Sequence, residues 1–364
     1  MYGYPSLNSR LIKQIYEADG FWHLAITGGG TTAINALFSV PGASTTILEA
    51  QVPYHASALQ RYLNSSQQHG CNSATARAMA LQAFLSATTA MPGKLVFGLG
   101  GTAAIATKRN RKGTDRCHIA IQSESRTRSI ELTLDKSLSR EAQETACRKI
   151  IIGLMAEESG IGVAYDHHFE SVEHNASEDW QNLIMGRTDK TVHTDQFAAI
   201  LPGAFNPLHD GHRQILARAS ELLACKAALE ISVRNVDKPT LDYLTMRERQ
   251  DQAAPLPLVF TNAPTFEKKS AVFPGVTFIV GIDTVTRIQE ARYYHSVAAR
   301  DSAIKMMKER GNRFLVFGRK MNEEFQTLDD IDILPALKSL CTGVNEDGFR
   351  LDISSSELRQ SKHG

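Results

Sequence analysis

Two histidines, His209 and His212, carry the clearest chemical signal in this 364-residue sequence. They follow a short apolar stretch at 197–201 and a glycine, Gly203, and they flank an amphipathic helix predicted to begin near Asp210. The first N–H groups of a helix lack partners within the helix and attract anions, and two imidazoles beside them can neutralise phosphoryl oxygens. The stretch therefore predicts a phosphate-binding site that needs no covalent nucleophile.

Other polar residues follow the predicted strands of the second half. Strands are predicted at 228–233, 277–280 and 313–317, and helical segments separate them. This alternation indicates a parallel, doubly wound sheet, in which ligands bind beyond the carboxyl ends of the strands. We therefore expect the residues after these strands to converge with His209 on one crevice. These residues are Lys238, Asp283 and Arg319.

Two segments of the second half resemble the nucleotidylyltransferase superfamily, whose members join a nucleotide to a phosphate-bearing acceptor and release pyrophosphate. Residues 203–212, GAFNPLHDGH, resemble its G-x-F-N-P-x-H-x-G-H signature. Residues 353–359, ISSSELR, resemble its I-S-S-T/S-x-x-R motif, although serines before an acidic residue are also typical of an ordinary helix N-cap. Because the two segments lie at opposite ends of residues 197–360, the resemblance spans the second half.

The resemblance implies a role for each matching residue. His212 would contact the α-phosphate and His209 the outer phosphates, while Arg359 with Ser354 and Ser355 would hold the departing pyrophosphate. Lys238 would add a cation on the triphosphate or on the acceptor phosphate, with a structural surface lysine as the alternative. The catalytic residues implied are His209, His212, Lys238 and Arg359. The nucleotide-binding residues implied are Gly203, Ala204, Phe205, Asn206, His209, His212, Gly281, Asp283, Arg319, Ile353, Ser354, Ser355 and Arg359.

The substrates are the next inference. Asp283 after Gly281 resembles the G-x-D element of the nicotinamide-mononucleotide adenylyltransferase branch, which favours ATP as donor and nicotinamide mononucleotide as acceptor. Adenylylation of pantetheine phosphate, cytidylyl transfer to a small phospho-alcohol and non-catalytic nucleotide sensing remain alternatives. Phe266 and Tyr293 are candidates for stacking on the acceptor. Mg²⁺ is expected to arrive with the triphosphate, because the sequence shows no dedicated set of metal ligands.

The first half, at about residues 7–157, resembles the CinA C-terminal family, whose active members deamidate nicotinamide mononucleotide. The resemblance rests on the TGGG turn, VPGAS, VPYHAS with Tyr54, ARAMA and FGLGGTAAIAT. The serine nucleophile of that family falls on Ala25 and its lysine on Leu59, and neither side chain can do that chemistry. We therefore predict no amidase activity. A pocket between two glycine turns, 28–30 and 98–101, could still bind a nucleotide, and a structural or dimerising role is the alternative.

Composition sets the remaining expectations. A net charge of +1, from forty basic and thirty-nine acidic residues, argues against nucleic acid or membrane partners. Five scattered cysteines and the lack of a long apolar segment predict a soluble, cytoplasmic protein with reduced thiols. We predict two α/β domains: a CinA-like domain at 1–160, a connecting segment at 161–196 and a nucleotidylyltransferase domain at 197–364. The first domain is a possible site of homo-oligomer formation.

Overall fold

The chain divides into two compact α/β units in a computed structural model, which describes residues 7–108, 111–193, 195–321 and 324–345. The first unit contains residues 1–181 together with the short segment 235–245. The second unit contains residues 182–234 and 246–364. The inclusion of 235–245 in the first unit has no counterpart in the domain boundaries predicted from the sequence.

The first unit is built on a six-stranded mixed sheet in the order β2-β1-β3-β4-β5-β6. Strand β1 pairs in parallel with β2 and β3, and the remaining pairs are antiparallel. The helices and strands up to the division are α1 (Leu7–Glu17), β1 (Phe21–Thr27), α2 (Thr32–Phe38), β2 (Ile47–Gln51), α3 (Ala56–Tyr62), α4 (Ser73–Ala90), β3 (Val96–Ala104), β4 (Asp115–Gln122), β5 (Arg126–Leu134), α5 (Arg140–Glu158), β6 (Glu170–Asn175) and α6 (Glu178–Ile184).

The two faces of this sheet are covered by different helices. One face buries Trp22, Leu24 and Ile26 of β1 against residues of α1, α2 and α5, and the Trp22 ring stacks on Phe97 with centroids 4.7 Å apart. The opposite face carries α4, which packs mainly over β3. Alternation of side chains along β1 therefore places every second residue in an apolar core and the others beneath α4.

The glycines of β3 correct one prediction. Residues 98–101 do not form a second glycine turn, because they lie inside strand β3. A Cβ on Gly98 would lie 2.1 Å from the carbonyl oxygen of Ala80, and one on Gly100 would lie 2.1 Å from that of Ala76. These glycines therefore let the backbone of α4 lie directly on the strand. The predicted pocket between two glycine turns therefore lacks its second turn, because strand β3 occupies residues 98–101.

The second unit contains a six-stranded sheet in the order β14-β11-β10-β7-β8-β9. All five strand pairs are parallel. The elements after the division are β7 (Ala199–Pro202), α7 (Asp210–Leu223), β8 (Ala227–Ser232), α8 (Tyr243–Ala253), β9 (Leu258–Thr261), α9 (Phe266–Val272), β10 (Thr277–Gly281), α10 (Ile282–Ile288), α11 (Val297–Glu309), β11 (Arg313–Phe317), β12 (Arg319–Met321), β13 (Glu324–Gln326), α12 (Pro335–Lys338) and β14 (Cys341–Val344).

Numbered by appearance within this sheet, the strands have the order 3-2-1-4-5-6, which is that of dinucleotide-binding sheets. The direction of strand order reverses between β7 and β10, so a crevice is expected beyond the carboxyl ends of those two strands. The Rossmann-like fold predicted for the second half is confirmed. The two-domain α/β class is confirmed with it.

A buried ion pair ties three elements of the second unit together. Lys269 of α9 places its Nζ 2.6 Å from both carboxylate oxygens of Glu230 on β8. The Thr261 hydroxyl donates to Oε1 of the same carboxylate at 2.5 Å. Both charged side chains are more than nine-tenths buried, so each charge is stabilised by its partner in place of the water that it lost on burial.

Candidate active site at the carboxyl edge of the parallel sheet

The turn between β7 and α7 is shaped by Gly203 and Phe205. Gly203 donates its N–H to the carbonyl oxygen of Glu230 on the neighbouring strand at 2.9 Å. Phe205 has a left-handed backbone with φ of 42° and folds its buried ring back over the turn. A Cβ on Gly203 would lie 2.6 Å from that ring, so a larger residue at this position would push the Phe205 ring out of its place. The turn therefore brings the chain to His209 in one fixed path.

His209 and His212 are brought together at the start of α7. His209 is the extended residue before the helix, and the two imidazoles stack with centroids 3.7 Å apart. The backbone N–H of His209 donates to Nδ1 of His212 at 3.3 Å. The Phe205 ring meets the His212 ring edge-on at 5.0 Å. Because Nδ1 of His212 accepts a hydrogen bond, we assign the proton of this imidazole to Nε2, which makes Nε2 a donor.

Both imidazoles are held uncharged near neutral pH. Burial, together with a smaller effect of the neighbouring His209, lowers the pKa of His212 to about 4. Burial also lowers the pKa of His209, although Asp210 opposes that shift. The site is thus a pair of neutral donors at a helix N-terminus rather than a permanent cation. An arriving phosphate would favour protonation of both rings.

Asp283 and Arg319 meet at the ends of the next two strands. Asp283 lies in the first turn of α10, directly after β10, and Arg319 begins β12, directly after β11. Their side chains form an ion pair with Nη1 of Arg319 3.5 Å from Oδ2 of Asp283, and both are partly exposed. Gly281 ends β10, and a Cβ there would lie 2.7 Å from the Asp283 carboxylate. The histidine pair and Asp283 thus follow the two central strands between which the strand order reverses.

The remaining predicted residues fall elsewhere. Lys238 is exposed and lies in segment 235–245 of the first unit, so its role stays a prediction. Phe266 packs on Phe278 and Phe314 in the core of the second unit, which leaves it a poor stacking candidate. Tyr293 is partly exposed, with the Arg292 guanidinium 5.0 Å from its ring centre. Four predicted site residues lie outside the described part of the chain: Ile353, Ser354, Ser355 and Arg359.

The two positions that the resemblance assigns to a serine nucleophile and its lysine lie close together in the first unit. Ala25 on β1 and Leu59 on α3 lie in one apolar cluster with Leu63 and Met79. Two positions thirty-four residues apart in the sequence are therefore close in space, as a nucleophile and its lysine would have to be. Both side chains are buried hydrocarbon.

The glycine turn at 28–30 binds a carboxylate from elsewhere in the same chain. The Gly30 N–H and the Thr31 hydroxyl both donate to the carboxylate of Glu144 on α5, the latter at 3.0 Å. Glu144 was not singled out from the sequence, because more than a hundred residues separate it from the turn and no local pattern marks it. At this turn, the predicted nucleotide pocket is therefore occupied by a carboxylate from within the unit.

A cavity of about 330 Å³ lies at the opposite edge of the second sheet. It is lined by Phe197 and Val276, which precede β7 and β10, and by Lys190 and Phe273. The predicted site residues do not line it. Among the described residues there is no group of three or more His, Cys, Asp or Glu side chains that could hold a metal ion. No helix in the described part of the chain is long and apolar enough to cross a membrane.

Comparison with known proteins identifies the second half. A family model described as "Cytidylyltransferase-like" matches residues 200–361. The second half is a nucleotidylyltransferase-superfamily domain. The match begins within β7 and continues past the described residues into the ISSSELR segment, so it contains both motifs read from the sequence. Comparison with curated proteins gives no match.

Solved structures similar to this chain carry CinA-type descriptions. The competence/damage inducible protein CihA from Agrobacterium tumefaciens is 16% identical over 43% of this chain and 96% of its own, with a TM-score of 0.33. A CinA superfamily protein from Enterobacter cloacae is 14% identical over 43% of this chain and 96% of its own, with a TM-score of 0.32. The corresponding protein from Escherichia coli is 12% identical over 43% and 94%, with a TM-score of 0.33.

Proposed function

We propose that the second half catalyses adenylyl transfer from ATP to a phosphate-bearing acceptor, with nicotinamide mononucleotide as the best candidate. An oxygen of the acceptor phosphate would attack the α-phosphorus of ATP. The bond from that phosphorus to the bridging oxygen would break, and pyrophosphate would leave. The observation that carries the proposal is the stacked, neutral pair of His209 and His212 at the end of the first strand of a 3-2-1-4-5-6 sheet.

The chemistry of the pair suits this step. During the displacement, negative charge grows on the oxygens around the α-phosphorus and on the leaving group, and no covalent intermediate is needed. Nε2 of His212 offers a hydrogen bond to such an oxygen, and protonation in response to the charge would strengthen that bond. The N–H groups at the start of α7 add donors that are already fixed in place. Stabilisation of charge at fixed donors is the mechanism that we assign to the site.

Roles for the other residues are part of the same proposal. Arg359, with Ser354 and Ser355, would hold the pyrophosphate, and Lys238 would contact the triphosphate or the acceptor phosphate. Asp283 would contact nucleoside hydroxyls or the magnesium ion of the triphosphate, which the Gly281 to Asp283 element supports by its resemblance to the adenylyltransferase branch. ATP would bind as its magnesium complex, so the ion is counted as part of the substrate.

Cytidylyl transfer from CTP to a small phospho-alcohol is the second candidate. It is favoured by the description of the family model that matches the second half. For the first half we propose no hydrolysis of an amide, because Ala25 and Leu59 place hydrocarbon where the nucleophile and its lysine would stand. A non-catalytic nucleotide sensor is the remaining alternative.

The test is a matrix of nucleoside triphosphates against acceptors, with pyrophosphate release as the readout. The acceptors are nicotinamide mononucleotide, pantetheine phosphate and phosphocholine. We expect release with ATP and nicotinamide mononucleotide, and a loss of turnover on the order of a hundredfold or more in His212→Asn. His193→Asn is the matched control, because this exposed histidine lines the cavity at the opposite edge of the sheet.

Each outcome of the matrix has a distinct meaning. Pyrophosphate release with CTP and phosphocholine alone would show that the substrates are not the ones proposed, while the second half would still be a nucleotidylyltransferase. Near-normal turnover in a folded His212→Asn protein would remove the histidine pair from the mechanism. Triphosphate binding with no release for any pair would support the sensor.

A further inference from the structure

The cavity at the amino edge of the second sheet belongs to the second unit alone. Its volume is about 330 Å³, and every described residue that lines it belongs to 190–197, to β9 or to 272–276. The histidine pair and Asp283, by contrast, follow the carboxyl ends of the strands, which is where doubly wound sheets bind their substrates. The proposed transfer reaction therefore gives this cavity no occupant.

One part of the cavity wall is apolar. Val259 on β9 is 3% exposed, and Val276, directly before β10, is 7% exposed. Phe273 after α9 is also 7% exposed, and the partly buried Phe197 packs against the same core cluster. All four residues line the cavity. Since such surfaces are better covered by hydrocarbon than by water, the wall favours a ligand with an apolar body.

Lys190 supplies a positive charge at the same cavity. Its Nζ lies 4.8 Å from the centre of the Phe273 ring and donates to the Val272 carbonyl at 3.3 Å. Neither neighbour is an anion, and no carboxylate in the described part of the chain forms an ion pair with this lysine. Asp195, the one carboxylate among the described lining residues, is paired with Lys226 at 3.0 Å. The charge of the Lys190 ammonium is therefore available to an anionic ligand.

The main chain on both sides of Lys190 is held against β9. The Thr191 N–H donates to the Phe260 carbonyl at 2.9 Å, and the Phe260 N–H donates to the Thr191 hydroxyl at 3.0 Å. On the other side of the lysine, the Asn262 N–H donates to the Asp189 carbonyl at 2.8 Å. Because the backbone that carries the lysine is fixed before a ligand arrives, less freedom is lost on binding.

The size and the lining of the cavity together indicate the class of ligand. Sites for small molecules typically have volumes of about 300–1,000 Å³, so a cavity of about 330 Å³ suits a single ring with a short acidic substituent. A carboxylate can accept hydrogen bonds from the N–H groups of Lys190 that the Val272 carbonyl does not use. An aromatic ring can pack on the valine and phenylalanine side chains of the wall.

We propose that this cavity is a binding site for a small aromatic carboxylate, whose acid group pairs with the Lys190 ammonium and whose ring lies against the apolar wall. The charge and the ring are both needed, because an exposed ammonium alone binds anions weakly in water. The ligand is not a reactant of the proposed transfer, since the histidine pair lies at the other edge of the sheet. The proposal therefore stands whether or not the second half transfers a nucleotide.

A titration of the full chain with sodium benzoate, followed by saturation-transfer NMR, tests the proposal. We expect the wild type to bind benzoate and Lys190→Met to bind it on the order of tenfold more weakly, because a charge-assisted hydrogen bond is lost. Lys190→Arg, which keeps the charge, should retain most of the affinity. Lys268→Met is the matched control, because this exposed lysine of α9 does not line the cavity. No benzoate binding by the wild type, or equal affinity in Lys190→Met, would overturn the proposal.

Two related compounds test the chemistry of the ligand. Acetate has the charge without the ring, and benzylamine has the ring with the opposite charge, so neither should displace benzoate at equal concentration. Displacement by acetate would overturn the role of the apolar wall, and displacement by benzylamine would overturn the role of the Lys190 charge.

The variant His212→Asn tests the location of the benzoate site. We expect its affinity for benzoate to equal that of the wild type, because the histidine pair lies at the carboxyl edge of the sheet. A loss of benzoate binding in this variant would place the compound at the histidine pair and would overturn the cavity as its site. This readout does not depend on nucleotide transfer, so the two proposals can fail separately.

Discussion

Binding of the triphosphate should draw a proton onto His212. With a pKa of about 4, this imidazole is only about 0.1% protonated at pH 7 in the free protein. A single phosphoryl charge about 4 Å away contributes about 4 kcal/mol at an effective dielectric constant near 20. That energy corresponds to about three pKa units, which brings the pKa of the bound state to about 7. We therefore expect uptake of about half a proton at pH 7.

Calorimetry measures this uptake directly. The ligand is ATP without an acceptor, titrated under excess magnesium in buffers with different ionisation enthalpies, so that the slope of the observed enthalpy gives the protons bound. With the values above, uptake should approach about 0.9 proton at pH 6 and fall to about 0.1 at pH 8. His212→Asn should remove most of it and His193→Asn should remove none.

The sign of the pH dependence is the strictest part of this prediction. A group with a low pKa in the free protein and a higher pKa in the complex binds protons only in the window between the two values. Binding should therefore weaken as pH rises from 6 to 8. Equal proton uptake in the wild type and in His212→Asn, or uptake that grows with pH, would refute the assignment of His212 as the group that responds to the phosphate.

Two further predictions concern stability. Lys269→Met should destabilise the second unit by about 3–5 kcal/mol in denaturant unfolding, because the Glu230 carboxylate stays buried without its partner. The double variant Lys269→Met with Glu230→Gln should recover most of this loss of stability. No recovery would contradict the pairing of the two charges. In calorimetry, Gly100→Ala should lower the melting temperature of the first unit, because the new Cβ would lie 2.1 Å from a backbone oxygen of α4. Gly113→Ala is the control, and it should leave the melting temperature unchanged because its Cβ would meet nothing within 4 Å.

Local patterns made much of the fold predictable. Strand β11 was predicted with the observed bounds, 313–317, because its apolar run ends at a glycine and four of its five residues are buried. The start of α7 was predictable for the same reason, since the glycine, the two histidines and the amphipathic helix are contiguous. The histidine pair was found from spacing alone, but its stacking and its lowered pKa values depend on burial by the surrounding fold.

Long-range causes explain what the sequence could not predict. The glycines of β3 suggested a turn, because the helix backbone that requires them lies about twenty residues earlier in the chain. Strand β6 was placed in a connecting segment, because it is an exposed edge strand without apolar alternation. The membership of 235–245 in the first unit depends on Arg77 and Thr127, more than a hundred residues away.

Ala25 and Leu59, the positions at which the resemblance to the CinA C-terminal family would place a serine and a lysine, and the ion pair of segment 235–245 follow the same rule about buried charge. Leu59 is 7% exposed in an apolar cluster, and a lysine at that depth would bury an ammonium beside the methyl group of Ala25, a strongly unfavourable arrangement without a nucleophile to pair with. Hydrocarbon at both positions removes that cost and keeps α3 packed on the sheet. The charged residues that stay deeply placed in this unit are those with partners, among them Arg77 with Asp242.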